Sequence, residues 1–277
     1  MIFVSDLDRT LIFSRKFTSD SPENYQQVEA GDYPSYMTRR AAELLNVIAE
    51  QMLFVPCTTR TVEQYLRLDF ITGLQPQYAV VSNGGNLLIN GKVDQQYQQE
   101  LQLKLQDCLP AVDIMKEFNL ITSPDWVLKT RVADGLFHYC IVDQRMIPEQ
   151  DLTQFITWAA TQNWDVSLQG RKLYLVPRVI NKWAPIKKIM ELTGESSVFT
   201  AGDSLLDLPL LVATPNHLSP RHGELYQHFK QKGHTREHKL TFTNNEGINA
   251  GEEILQHVIK WGKDRIILIK GEEEREA

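Results

Sequence analysis

Short unbroken apolar runs alternate with helix-spaced apolar positions through most of the chain. Ile2-Phe3-Val4 opens it, Leu53-Phe54-Val55 and Tyr78-Ala79-Val80-Val81 follow, and Val198-Phe199-Thr200 comes late. Runs that are apolar on both faces fit strands of a parallel sheet covered on both sides. Ala41, Leu44, Leu45 and Ile48 mark one face of a helix whose N-cap is Thr38. Further helices are predicted from Pro185 through Ile189 and Leu192, and over Ile248–Trp261, with a last strand near Lys239–Thr243. Pro185, in an opening turn, is structural. Ile266–Ile269 reads either as an edge strand or as the end of a helix, and Gly271–Ala277 as a frayed acidic tail. The alternation predicts an α/β fold around a Rossmann-like, mainly parallel sheet.

Two stretches break the rhythm. Ser14–Tyr36 is polar, Tyr-rich and too long for a simple connector, which suggests a flap near the end of the first strand. From Asp94 to Phe118 the spacing of Leu101, Leu105 and Leu109 predicts one long Gln-rich helix. Two extended runs follow, Trp126–Val132 and Leu136–Val142, about a turn at Ala133-Asp134-Gly135. A helix over Glu149–Thr161 and a second hairpin, Trp164–Leu168 with Lys172–Val176, complete an αββαββ order. The expected organisation is a core of residues 1–85 and 180–277 with an α+β domain, 86–179, inserted in it.

Composition narrows the function classes. The 277 residues are 42% hydrophobic and 23% charged, with a net charge of -6, so the chain is long enough for a full core. That charge gives no support for nucleic-acid or anionic-membrane binding. No apolar run is long enough for a membrane span, and the opening Ile-Phe-Val is too short for a signal-peptide core. Cys57, Cys108 and Cys140 are too few and scattered for a disulfide framework or zinc ribbon. A cytoplasmic, reduced setting is expected, as a monomer or small homo-oligomer.

The candidate chemistry lies at strand ends. Asp6 and Asp8, two residues apart beyond the first strand, project to one side, at the edge of the sheet where α/β ligands bind. Two converging carboxylates require a divalent cation, a shared proton or a basic neighbour. Thr58 and Arg60 follow the second strand, Lys182 precedes a helix, and Asp203 and Asp207 follow a later strand. Asp6, Asp8 and Asp203 offer hard oxygen ligands suited to Mg²⁺, and Thr58 and Lys182 offer donors to phosphoryl oxygens. No Walker-type Gly-x-x-x-x-Gly-Lys-[Ser/Thr] and no His-Glu-x-x-His is present.

Taken in order, these segments resemble the haloacid-dehalogenase-like hydrolase superfamily, in particular its Cof-type and sucrose-phosphate-phosphatase-like branch. Asp6-Leu7-Asp8-Arg9-Thr10 is similar to the Asp-x-Asp-x-Thr motif, and Val55-Pro56-Cys57-Thr58-Thr59-Arg60 to the second motif. Asn181-Lys182 matches the third, Gly202-Asp203-Ser204-Leu205-Leu206-Asp207 the fourth, and Ser82-Asn83-Gly84-Gly85 the Asn-Gly turn before the cap. The resemblance runs from Asp6 to about Leu255 and makes the inserted domain a cap. It implies a Mg²⁺-dependent phosphatase acting on a small phosphorylated metabolite, a sugar phosphate above all. By position, Asp6 would be the nucleophile that forms an aspartyl-phosphate, Asp8 the acid and base, and Lys182 the partner of Asp6. Thr58, Thr59, Asn83 and Lys182 would hold the phosphoryl group. The metal set would be Asp6, Asp8 (through its carbonyl), Asp203 and Asp207, the last through water or Lys182. Thr10 would fix the loop after Asp8.

Arg9, Thr59 and Trp183 stand where the family has Gly, and Leu206 where many members have Asn. Arg9 is either an extra phosphate contact or a solvated charge. A phosphomutase using the same Asp6, and a non-catalytic phosphosugar-binding module, are the rival readings. Trp126, Lys129, Arg131, His138, Arg171, Lys172, Tyr174 and Arg178 are candidate cap contacts; Arg171 and Lys172 are preferred, and strand alternation lets only half face the cleft. The histidines 217, 222, 228, 234 and 238 are irregularly spaced and read as surface residues rather than a metal cluster. Cys57 reads as a buried strand-end thiol with no activating base, and the glutamates at 272–274 as a solvated tail.

Overall fold

A computed structural model describes residues 1–18, 21–232 and 240–276 of the chain. The first strand, β1 (Ile2–Ser5), is buried throughout. A small antiparallel sheet follows, made of β2 (Phe13–Ser14), β3 (Tyr25–Glu29) and β4 (Ser35–Thr38) in the order β2-β4-β3. It occupies the stretch expected as a flap. Helix α1 (Arg39–Gln51) starts where Thr38 Oγ1 accepts the Ala41 N–H, the predicted cap, and buries Ala41, Leu44, Leu45 and Ile48. Strand β5 (Leu53–Pro56) and two short helices, α2 (Val62–Leu66) and α3 (Asp69–Gly73), lead to β6 (Tyr78–Val81). β7 (Asn86–Ile89) and β8 (Lys92–Val93) then pair with β6 as an antiparallel meander.

The inserted segment contains α4 (Gln95–Leu105), α5 (Ala111–Asn119), β9 (Val127–Ala133), β10 (Phe137–Val142), α6 (Glu149–Thr161), β11 (Trp164–Gln169) and β12 (Lys172–Pro177). Its four strands form an antiparallel sheet ordered β11-β12-β10-β9. The single helix expected over Asp94–Phe118 is in fact two. Pro110 has no N–H for an intrahelical bond and its ring clashes with the carbonyl four residues back, so Leu109 falls in a connection and bonds to the Gln162 carbonyl. The first hairpin reverses through Asp134, Gly135 and Leu136, the first two with positive φ (48° and 72°), and the Leu136 N–H closes the turn on the Ala133 carbonyl.

The chain returns through α7 (Trp183–Thr193), β13 (Val198–Ala201), α8 (Leu208–Leu211), β14 (Asn216–Leu218), α9 (Glu224–Lys232) and α10 (Ile248–Glu276). The main sheet is parallel, in the order β14-β13-β1-β5, and a bridge from Cys57 to Val80 attaches β6 beyond β5. The edge of the main sheet is β14, whose mixed Asn-His-Leu composition carries no apolar signal, and the last strand expected near Lys239–Thr243 does not form among the described residues. Over residues 240–243 only a bridge from Phe242 to Ser219 forms, and Lys239 lies outside the described residues. The segment 266–269 is helical, because α10 runs unbroken to Glu276 through the tail expected to fray.

Each face of the parallel sheet carries its own hydrophobic cluster. Phe3, Leu45, Phe54, Phe199 and Val258 pack on one side with α1 and α10. Val4, Val55, Ile186 and Ile189 pack on the other and join Phe137, Tyr174 and Val176 of the inserted sheet. The inserted sheet's remaining face packs on its own helices through Phe118, Phe155, Leu173 and Leu175. Among the described residues no helix is long and apolar enough to cross a membrane, and all three cysteines are free and buried.

Candidate active site

The strand order reverses about β1, which has β5 on one side and β13 on the other, so the switch point at which open α/β sheets bind ligands lies beyond their carboxyl ends. Asp6 follows β1 and extends its ladder by donating its N–H to the Ala201 carbonyl at 2.9 Å. Both Asp6 oxygens are occupied. Lys182 Nζ donates to Oδ1 at 2.6 Å and Thr10 Oγ1 to Oδ2 at 2.8 Å. Thr10 therefore braces Asp6 directly.

Lys182 leads α7, whose start is capped by Asn181 Oδ1 accepting the Ala184 N–H. Its ammonium is fully buried and also donates to Asp207 Oδ1 at 2.6 Å. The other oxygen, Asp207 Oδ2, accepts the N–H groups of Asp203 and Ser204 and the Ser204 hydroxyl. Asp207 thus fixes Lys182 and the Asp203 turn together. Gly202 is required here, since a Cβ on it would lie 2.5 Å from the Asp207 side chain. Gly84, with φ 93°, is required too: its Cβ would stand 2.2 Å from the Asn181 carbonyl oxygen, beside Lys182.

Asp203 is the unsatisfied member. It is buried, and among the described residues its carboxylate pairs only with Arg9, whose Nε lies 3.4 Å away. Carboxylate oxygens of Asp6, Asp203 and Asp207 lie within 4.8 Å of one another. The electrostatics follow. Burial pushes the Asp6 carboxyl up to about 7; Lys182 opposes the rise, and Asp207 and Asp8 add to it. Burial, then Asp6 and Asp207, push Asp203 well above the carboxylate range. Burial works against the charge on Lys182, but Asp207 and Asp6 hold its ammonium well above the ordinary lysine value. Three crowded carboxylates around one ammonium leave negative charge uncompensated, and a hard divalent cation is the ligand that donor set fits.

Asp8 has a different environment. Arg60 grips it in a fork, Nε to Oδ2 at 2.7 Å and Nη2 to Oδ1 at 2.8 Å. Burial opposes its charge, yet Arg60, with smaller help from Lys172, holds the carboxyl below its usual value. Arg60 in turn bonds Glu29 of β3 at 2.7 Å, and Glu29 also faces Arg67 Nε at 3.3 Å. Glu29 was not foreseen from sequence. Its only signal is one acid in the alternating Tyr25-Gln26-Gln27-Val28-Glu29 run.

Thr58 is buried at the end of β5 and its hydroxyl accepts the Arg60 N–H. Thr59 is half-buried. Asn83 has a left-handed backbone (φ 57°), donates Nδ2 to the Ile180 carbonyl, and leaves Oδ1 buried with no partner among the described residues. Trp183 and Leu206 pack into the apolar cluster beside Val4 and Ile186, so neither bulky residue displaces Lys182. Arg9 has φ 67° and bonds the His222 carbonyl as well as approaching Asp203.

The weaker candidates separate. Lys172 is near enough to Asp8 for the two charges to interact, whereas Arg171 sits in the turn after Gly170. Trp126 is buried and His138 points with Leu175 toward the inserted domain's own helices. Arg178 pairs with Asp165. Cys57 is buried, and burial pushes its thiol far above the ordinary value. His217 and His222 are half-buried and hydrogen-bonded, and His234 and His238 lie outside the described residues.

No model of a known protein family matches the chain, and no curated protein does. Solved structures do match. The chain is similar to the sucrose-phosphatase of Synechocystis sp. PCC6803 in complex with sucrose and phosphate, with 16% identity over 93% of this chain and 97% of that one and a TM-score of 0.66. It is similar to yhjK, a haloacid dehalogenase-like hydrolase protein from Bacillus subtilis (13% identity, 93% and 91% covered, TM-score 0.53). The subclass IIB sugar phosphatase BT4131 matches at 12% identity, 93% and 98% covered, TM-score 0.53.

Proposed function

We propose that this chain, which has the fold of the haloacid-dehalogenase-like hydrolases, is a Mg²⁺-dependent phosphatase of a small phosphorylated metabolite, a sugar phosphate above all. The observation that carries the reading is the buried Lys182 ammonium bridging Asp6 and Asp207 at the crevice edge, with Asp203 beside them. Structural likeness to proteins described as sugar phosphatases supports the substrate class.

Asp6, Asp203 and the Asp8 carbonyl would hold the ion, with Asp207 acting through Lys182 and the Asp203 turn. Bound there, Mg²⁺ neutralises phosphoryl oxygens and offsets the crowded carboxylates. Lys182 favours the ionised form of Asp6 against its burial, and Thr10 aims it. The Asp6 carboxylate attacks phosphorus, the ester P–O bond breaks, and an aspartyl-phosphate forms. Thr58, Thr59 and the Asn83 turn supply polar groups to the phosphoryl oxygens. Asp8 gives a proton to the leaving oxygen, then takes one from the water that hydrolyses the intermediate. The Arg60 fork holds Asp8 ionised, the form suited to the second task, so the fork must open before Asp8 can serve the first.

The test is phosphate release by the purified protein with Mg²⁺, p-nitrophenyl phosphate and a panel of phosphorylated sugars. Release that is lost on chelation and in Asp6→Asn is expected. Isomerised sugar phosphate without release would make the protein a mutase, and binding without turnover a phosphosugar-binding module.

A further inference from the structure

The inserted sheet turns a patterned face toward the crevice. Cross-strand register lines its residues in two rungs. The first runs Arg131, Tyr139, Tyr174, Ser167 and the second Lys129, Ile141, Lys172, Gln169. Residues opposite one another in an antiparallel pair share a face. The alternate residues, Cys140, Leu173 and Leu175, are buried against the domain's own helices, so the rungs lie on the other side. The next rung inward, through Phe137 and Val176, joins the apolar cluster of the core. The two outer rungs therefore overhang the site.

Their chemistry is one-sided. The rungs contain three cations and no acid, and among the described residues none of the three has a carboxylate partner. The acid that interacts with Lys172, Asp8, is already engaged by Arg60, and Asp165, on the next rung of the same face, by Arg178. Lys172 Nζ lies 5.8 Å above the Tyr139 ring, and the Tyr139 and Tyr174 rings are 5.8 Å apart. Tyr174 and, less strongly, Asp8 raise the Lys172 ammonium, which places that charge within electrostatic reach of the reacting carboxylates. A second observation stands beside the charge. Ser167 Oγ and Gln169 Nε2, at the β11 ends of the two rungs, are buried and have no hydrogen-bond partner among the described residues. Buried polar groups are seldom left so unless a ligand completes them.

We propose that this face binds the part of the substrate that is not transferred, and that this part carries a second anionic group, a carboxylate or another phosphate. Lys172, Arg131 and Lys129 meet the anion, Gln169 and Ser167 bond it or the hydroxyls next to it, and the tyrosine pair flanks the carbon frame. The inference rests on the phosphatase reading and narrows its substrate class. A neutral sugar remainder would leave three cations without an anion to pair with.

The experiment compares kcat/KM for glucose 6-phosphate, whose remainder is neutral, with 6-phosphogluconate and fructose 1,6-bisphosphate, which separate the carboxylate from the phosphate source. At least one anionic substrate is expected to exceed the neutral one by about tenfold or more, the effect of a charge-assisted contact. That ratio falls toward one in Lys172→Ala and in Arg131→Ala, and stays in Lys116→Ala, a control on α5. A preference for the neutral sugar phosphate, or a ratio unmoved by both cap variants, overturns the proposal. Failure of the phosphatase reading is read separately, as absence of p-nitrophenyl phosphate turnover. Calorimetric titration of Asp6→Asn with the same three compounds measures the preference without catalysis, and equal or absent binding there also counts against it.

Discussion

A lysine buried among carboxylates stays charged only while those carboxylates do, so Lys182, Asp6 and Asp207 act as one unit rather than three side chains. Asp207 shows this best: one oxygen holds Lys182 while the other holds the turn that presents Asp203. Spacing in the chain made Asp6, Lys182, Asp203 and Asp207 visible, because each follows an apolar strand or leads a helix. It left invisible which carboxylate would be saturated and which bare, since that depends on hydrogen bonds between residues far apart in sequence. His222 is a second case. Read as a surface residue, it accepts the Gly247 N–H at Nδ1 and bonds the Arg9 carbonyl through Nε2, which fixes it as a neutral ring with its proton on Nε2. Burial holds it below the ordinary value of 6.5. The unfolded chain therefore takes up a proton more readily than the folded one, and this contribution to stability is lost as pH falls below about 6.5. The buried Asp6 and Asp203 carboxyls, raised in the fold, act in the opposite sense over pH 8 to 5, so thermal unfolding is expected to show the wild type losing stability relative to His222→Gln as the pH falls. Identical slopes would mean that His222 titrates alike in both states.

At the scale of elements, the parallel strands and α1 could be read from periodicity because apolar runs and the Thr38 cap act locally. Pro110, which splits the expected long helix, is an equally local signal, but four-residue leucine spacing outweighed it in the reading. β14 was missed for the opposite reason: it is held by its neighbour β13 rather than by its own composition. The flap follows the same logic. Its small sheet is tied to the site by Glu29, which meets Arg60 and Arg67 while almost fully buried. Breaking a buried ion pair on one side leaves its partner unsatisfied. Glu29→Gln is expected to lower stability by about 1–3 kcal/mol and to make the flap more susceptible to limited proteolysis. Unchanged cleavage would show that β2–β4 is anchored by its apolar contacts alone, through Val28 and Met37.

Across the whole molecule, the two hydrophobic clusters explain why the site is where it is. One binds α1 and α10 to the sheet, while the other continues from the sheet into the inserted domain, so the inserted sheet stands over the carboxyl ends of β1 and β5. Negative charge gathered at that edge is a stability cost that a bound cation would relieve. Mg²⁺ is expected to raise the melting temperature by mass action on the folded state. Asp203→Asn should remove most of that rise and also stabilise the metal-free protein, since it removes the carboxylate that Asp6 and Asp207 repel. A Mg²⁺ response intact in Asp203→Asn would place the ion elsewhere.

Phosphorus passing through Asp6 is the claim on which the rest depends, and rapid acid quenching tests it most directly. Protein mixed with Mg²⁺ and a turned-over phosphate ester is quenched within one catalytic cycle, digested and mapped by mass spectrometry. A phosphoryl group on the peptide bearing Asp6, absent in Asp6→Asn, is the predicted result. Turnover with Asp6 never modified, or with the label on another residue, would contradict the account.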